Sequence, residues 1–175
     1  MLEVVIEIPK GSRNKYEYDE ARGVFRLDRV LYSSVHYPTD YGYIPETLSE
    51  DGDHLDALVI VTEATFTGCH ILVRPIGVLT MSDEHGGDHK ILAVPVRDPR
   101  FDQMMDLADV PPHLLLEIEN FFATYKVLEG KATATVGWSD AAAAAKVIAE
   151  AYQRRLTMSL GPRRVTHRTD TTTRR

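Results

Sequence analysis

Asp51-Gly-Asp53-His-Leu-Asp56-Ala-Leu-Val-Ile-Val61 sets an acidic turn directly ahead of a hydrophobic strand. Strand-like residues run nearly unbroken from Ala57 to Met81, and a second acidic turn follows them, Asp83-Glu84-His-Gly-Gly-Asp88-His-Lys90. That pattern predicts a sheet whose strands bring both acidic turns to the same end. Gly86 and Gly87 allow the second turn to bend tightly.

Working outward, Leu2 to Ile8 reads as a strand ended by Pro9 and Gly11, and Lys15–Asp19 with Gly23–Arg29 reads as a hairpin. Residues 36–50, dense in Tyr, Pro, Gly and Asp, are expected to form an irregular but rigid loop. Further strands are predicted near 57–63, 70–81 and 89–96. Pro111-Pro112 opens a helix whose apolar positions Leu114, Leu115, Ile118, Phe121, Phe122 and Tyr125 keep helical spacing. Lys131 to Trp138 alternates as one more strand. Ser139 and Asp140 are candidate N-caps of an alanine-rich helix ending near Leu156. Many short strands followed by two late helices predict an α+β fold built on a small β-barrel.

A chain of 175 residues with one cysteine is expected to be one domain, residues 1–160, with its own core and no internal disulfide. Cys69 lies in an apolar run and is expected to be buried and unreactive. Residues 161–175 carry five arginines against one aspartate, a net +4, with almost nothing apolar, and are expected to be a disordered basic tail. The net charge of −6 argues against a nucleic-acid partner. No stretch reaches the roughly 20 apolar residues of a membrane-spanning helix. The amino terminus lacks the basic region of a secretory signal, so the cytoplasm is the expected location.

Carboxylates crowded on two turns repel one another unless a cation neutralises them. Hard ions such as magnesium or manganese suit such ligands. An isolated Asp-Gly-Asp is an ordinary surface turn; here Asp51, Asp53 and Asp56 are anchored to a strand and paired with Asp83, Glu84 and Asp88. A calcium-binding helix-loop-helix is excluded, because no glutamate closes the loop twelve residues on. Lys15, Arg29, Lys90 and Lys126 are candidate phosphate-facing cations, and Tyr37, Tyr41 and Tyr43 candidate donors. The residues point to a metal-dependent enzyme acting on phosphate.

Taken in order, Glu7-Ile-Pro, Lys15-Tyr-Glu17, Asp28-Arg29, Tyr37-Pro-Thr-Asp-Tyr41-Gly-Tyr, the two acidic turns, Arg74-Pro-Ile-Gly and Phe121-Phe-Ala-Thr-Tyr125-Lys126 carry a family resemblance. The chain resembles the family I soluble inorganic pyrophosphatases from residue 3 to about 156, and its Asp-Glu-His-Gly-Gly-Asp version looks most like actinobacterial members. The resemblance implies a five-stranded OB-like barrel with two C-terminal helices, hydrolysing inorganic pyrophosphate to two phosphates with several Mg2+ ions. It implies metal ligands at Asp51, Asp56, Asp83 and Asp88, with a further ion at Glu7. Lys15, Arg29, Tyr41, Tyr125 and Lys126 would hold phosphate, with Lys90 nearby. Asp53 would accept the proton of the nucleophilic water, with Asp88 as the alternative. A homohexamer is implied in the same way.

Three features depart from the family pattern. His54 stands where proline usually follows Asp-Gly-Asp, and a surface substitution is the plain reading. Val127-Leu-Glu-Gly shortens the usual turn after Lys126, and the tail has no counterpart. His36, His85 and His89 sit beside expected site residues with no assigned role. Two other functions compete. A hydrolase of nucleotide or organic diphosphates would need a base-binding pocket, which the sequence does not signal. A non-catalytic OB module would need a basic face for single-stranded nucleic acid.

Overall fold

The structure, a computed structural model, describes residues 1–83 and 86–160, with the backbone alone for residues 83 and 86. The expected basic tail therefore lies outside the described residues. β1 (Leu2–Ile8) buries Val4, Val5, Ile6 and Ile8, as a run of β-branched residues in a closed sheet should. β2 (Asn14–Asp19) and β3 (Val24–Val30) form the expected hairpin, which stands outside the main sheet.

One strand lies where an irregular loop was expected. Within residues 36–50, Asp40–Ile44 is β4, and all five of its residues are buried. Pro38 and Gly42 read as breakers, but Pro38 lies ahead of the strand, and Gly42 is a point of close backbone approach. A Cβ at Gly42 would lie 1.9 Å from the carbonyl oxygen of Val5 and 2.8 Å from the Cα of Ile6.

β5 (Leu55–Val59), β6 (His70–Asp83) and β7 (Gly86–Pro95) complete a ring in the order β1-β4-β5-β7-β6, closed by β1 pairing with β6. β5 and β7 are parallel and the other ring pairs antiparallel. The strands predicted near 57–63 and 70–81 are β5 and β6, with a connection at 60–69. Asp83 pairs with Gly86 across β6 and β7, so Asp88 sits in strand β7. β8 (Ala134–Ser139) adds to the outer edge of β6.

α1 (Pro112–Thr124) starts at the expected proline pair and buries Ile118, Phe121 and Phe122. α2 (Ala141–Leu160) runs four residues beyond the expected end. Of the two N-cap candidates Asp140 acts, its carboxylate accepting from the Ala143 N–H at 2.9 Å. Alternation along the ring strands divides the core in two: one cluster packs on α1 through Leu58, Leu79 and Leu92, the other on α2 through Ala57, Val78 and Ile91. The fold is α+β, a five-stranded barrel with two C-terminal helices, as expected. Cys69 is only half-buried, contrary to expectation. No helix among the described residues is long and apolar enough to cross a membrane.

Gly42→Ala is expected to lower the unfolding free energy by about 3 kcal/mol or more, because its Cβ meets backbone that cannot yield. Gly87→Ala, where a Cβ meets nothing within 4 Å, should stay within about 0.5 kcal/mol of the parent in urea unfolding.

Candidate active site

One cavity of about 450 Å³ collects the chemistry-bearing side chains. Glu7 comes from β1, Lys15 and Glu17 from β2, and Tyr41 from β4. The connection before β5 supplies Asp51 and Asp53, and β5 itself supplies Asp56. Asp88 and Lys90 come from β7, and Tyr125 and Lys126 follow α1. Asp51, Asp53 and Asp56 of the first acidic turn thus meet Asp88 of the second, as expected for these positions.

Lys90 is the centre of the arrangement. It is only 2 % exposed. The parallel register sets Asp56 opposite it, and its Nζ lies 2.7 Å from Asp56 Oδ2 and 3.0 Å from Asp88 Oδ2. Nζ also donates to the Tyr41 hydroxyl at 3.3 Å and lies 5.4 and 5.2 Å from the centroids of the Tyr41 and Phe122 rings. Burial works against the ammonium, but Asp56 and Asp88 outweigh it and hold Lys90 above its ordinary pKa. The lysine stays charged. Tyr41 in turn donates its hydroxyl to Asp56.

The acids are strained in the opposite sense. Burial pushes Glu7 up to about 7, although its Oε1 accepts the Tyr18 N–H at 2.8 Å and Lys15 is near; Asp56 and Glu17 add to the rise. Burial, with Asp51 and Asp56 close by, also raises Asp53. Burial raises Asp88 too, against the pull of Lys90. The phenols remain protonated donors, because burial lifts Tyr125 to about 12 and Tyr41 well above its usual range.

Among the described residues of the expected site, Arg29 does not line the cavity. It stands opposite Lys15 across the hairpin, its Nε donating to Glu129 at 3.0 Å and its Nη1 pairing with Asp28. Lys15 pairs with Glu17 and lies 3.6 Å from Asp28. The side chain of Asp83 lies outside the described residues, as do Glu84 and His85. Tyr37 is core, packed 4.7 Å from Phe121. Glu17, Glu20, His54 and Arg155 line the cavity but were not among the expected site residues. Glu17 lies within a quoted motif, whereas nothing in the sequence links Glu20, His54 and Arg155, which meet only through the fold.

Carboxylate oxygens of this kind fit a hard divalent cation in donor chemistry, and acids raised by burial, with neighbouring carboxylates adding to the rise, are ones that such a cation relieves. Among the described residues no three acid, imidazole or thiol groups converge on one point as the side chains stand. Lys90 draws Asp56 and Asp88 to itself instead.

Known proteins answer to this arrangement. The family model described as inorganic pyrophosphatase matches residues 4–155. The inorganic pyrophosphatase of Methanosarcina mazei is 56 % identical over 151 residues, covering 86 % of this chain and 89 % of its own. That of Leifsonia xyli subsp. xyli is 54 % identical over 147 residues, covering 83 % and 90 %. The crystal structure of the Thermus thermophilus inorganic pyrophosphatase superposes with a TM-score of 0.86 at 46 % identity, covering 89 % of this chain and 91 % of its own. With its closed ring, its acid-lined cavity and matches over most of its length, the chain belongs to the inorganic pyrophosphatase family.

Proposed function

We propose that this chain hydrolyses inorganic pyrophosphate to two phosphates with Mg2+, or a related divalent ion such as Mn2+. The observation that carries the reading is a single cavity in which Glu7, Asp51, Asp53, Asp56 and Asp88 face Lys15, Lys90 and Lys126. A pyrophosphate needs cations on both phosphates, and a neutral or purely basic pocket would not also gather acids.

In this reading Asp51, Asp56, Asp83 and Asp88 hold metal, and Glu7 holds a further ion. Divalent ions there supply charge neutralisation and a more acidic bound water. Lys15, Arg29, Tyr41, Lys90, Tyr125 and Lys126 bind and orient the phosphates. Asp53 takes the proton of water as its oxygen attacks one phosphorus. The bridging oxygen then leaves with the second phosphate, held by cationic side chains. Asp53 is favoured over Asp88 because Lys90 already shares the Asp88 carboxylate. The raised Asp53 suits a proton acceptor. A homohexamer in the cytoplasm accompanies this reading.

Phosphate release should be fast from pyrophosphate with magnesium, slow from ATP, and abolished by chelator. Asp53→Asn is expected to lower kcat about 100-fold or more, in the range of general-base loss. Retention of full rate by that variant would shift the base to Asp88.

Glu7 gives a metal-independent check. Its pKa rises on folding from 4.5 to about 7, so its contribution favours the fold below pH 4.5 and is lost as pH climbs through about 7. In chelator-treated protein Glu7→Gln, which keeps an acceptor for the Tyr18 N–H, should therefore stabilise. The gain should grow from under about 1 kcal/mol at pH 5 to at most about 3 kcal/mol at pH 8. Equal gains at both pH values in denaturant titrations would exclude a buried, raised Glu7.

A further inference from the structure

The β2–β3 hairpin carries Lys15 yet pairs with no strand of the barrel, so side-chain ties help to place it over the cavity. The Tyr18 N–H to Glu7 is one such tie. His54 makes another. Its side chain is 16 % exposed, not the surface substitution that the sequence suggests. The ring stacks on Tyr43 with centroids 4.8 Å apart and planes 11° from parallel. Nδ1 lies 3.0 Å from the Thr47 carbonyl oxygen, and Nε2 lies 2.6 Å from Glu20 Oε1 in the hairpin turn.

Both ends are anchored. Thr47 is fully buried, its hydroxyl donating to the Ile44 carbonyl and accepting from the Leu55 N–H. Glu20 faces Arg155 of α2 at 3.7 Å. The same helix grips the base of the acidic turn, with Arg154 Nε donating to the Leu48 carbonyl at 2.9 Å and the Leu48 N–H to the Ala151 carbonyl at 3.0 Å.

We propose that His54, Glu20 and Arg155 form a positioning clamp that fixes the Asp51–Asp56 carboxylates against the phosphate-facing cations of the hairpin. The proposal rests on the hydrolase reading above. His54 joins the turn bearing Asp53 to the hairpin bearing Lys15, and Arg155 ties that joint to α2. Such a clamp sets the distance between the group that takes the proton and the groups that hold the phosphate. Displacement by about 1 Å at that distance is costly to the chemical step. An ion pair as exposed as Glu20, at 54 %, adds little to folding, so its effect should be read in rate rather than in melting temperature.

The test uses the full chain, with His54→Phe (which keeps a ring on Tyr43 but loses the ring-nitrogen contacts to Thr47 and Glu20), Glu20→Ala and the double variant. Each single change is expected to lower kcat for pyrophosphate about tenfold, with KM within about threefold. The double variant should be no slower than the worse single, because both changes break one joint. Glu20→Gln, which keeps an acceptor, should recover most of the rate. Calorimetric Mn2+ binding to the substrate-free protein should weaken about threefold or more in both singles, because the acidic turn loses its hold. Additive rate losses, or changes confined to melting temperature, would overturn the clamp. Unchanged Mn2+ affinity in both singles would also overturn it. Absence of phosphate release by the parent protein would instead remove the hydrolase reading, and the Mn2+ titrations would still decide the clamp.

Discussion

A buried ammonium between two carboxylates is the constraint on which the site depends. Burying Lys90 alone would drive it to shed its proton, and two carboxylates set this close repel one another unless a cation lies between them. Three charges within hydrogen-bond reach compensate one another, with a phenol hydroxyl and two ring faces completing the shell. The geometry follows from one parallel pairing. Asp56 lies opposite Lys90 on β5 and β7, and Asp88 lies on the same face of β7 two residues earlier. A slip of one residue between the strands would put Asp56 on the face opposite Lys90 and Asp88. Closure of the ring guards that register, because neither strand is an edge.

That closure depends on small structure as much as on large. β4 joins β1 to β5, and it approaches β1 so closely at Gly42 that no side chain fits there. Its neighbours Tyr41 and Tyr43, two residues apart, share a face and both line the cavity. Tyr41 enters the charged centre and the α1 cluster, and Tyr43 turns to His54 and Tyr18. One five-residue strand thus closes the barrel and equips both sides of the cavity.

Much of this was readable from residues. The two acidic turns, the hairpin and the proline-opened helix were legible because each is a local pattern, governed by turn chemistry or by a period of two or 3.6. β4 was not, since Tyr-Gly-Tyr behind Pro38 reads as loop until a partner strand supplies the reason for glycine. Arg29 was legible as a cation but not as one held back by Asp28 and Glu129, the latter 100 residues away. The joint of His54 to Glu20, 34 residues apart, was illegible for the same reason: no local rule couples a turn to a distant hairpin. Resemblance to a family supplied roles for residues at familiar positions, and His54 occupies an unfamiliar one.

The acids of the cavity carry a cost that the rest of the fold must absorb. Glu7, Asp53 and Asp88 all sit above their ordinary range, chiefly through lost solvation, so each carries its charge at a cost. A fold optimised for its own stability would replace them with apolar groups or move them to water. Here two hydrophobic clusters, each packed under its own helix, hold the strands that present those acids. A site that is uncomfortable for the protein alone is one that gains most from positively charged ligands. The same disequilibrium explains why Lys90 is drawn so deeply inward, since it is the cation that the chain itself can provide.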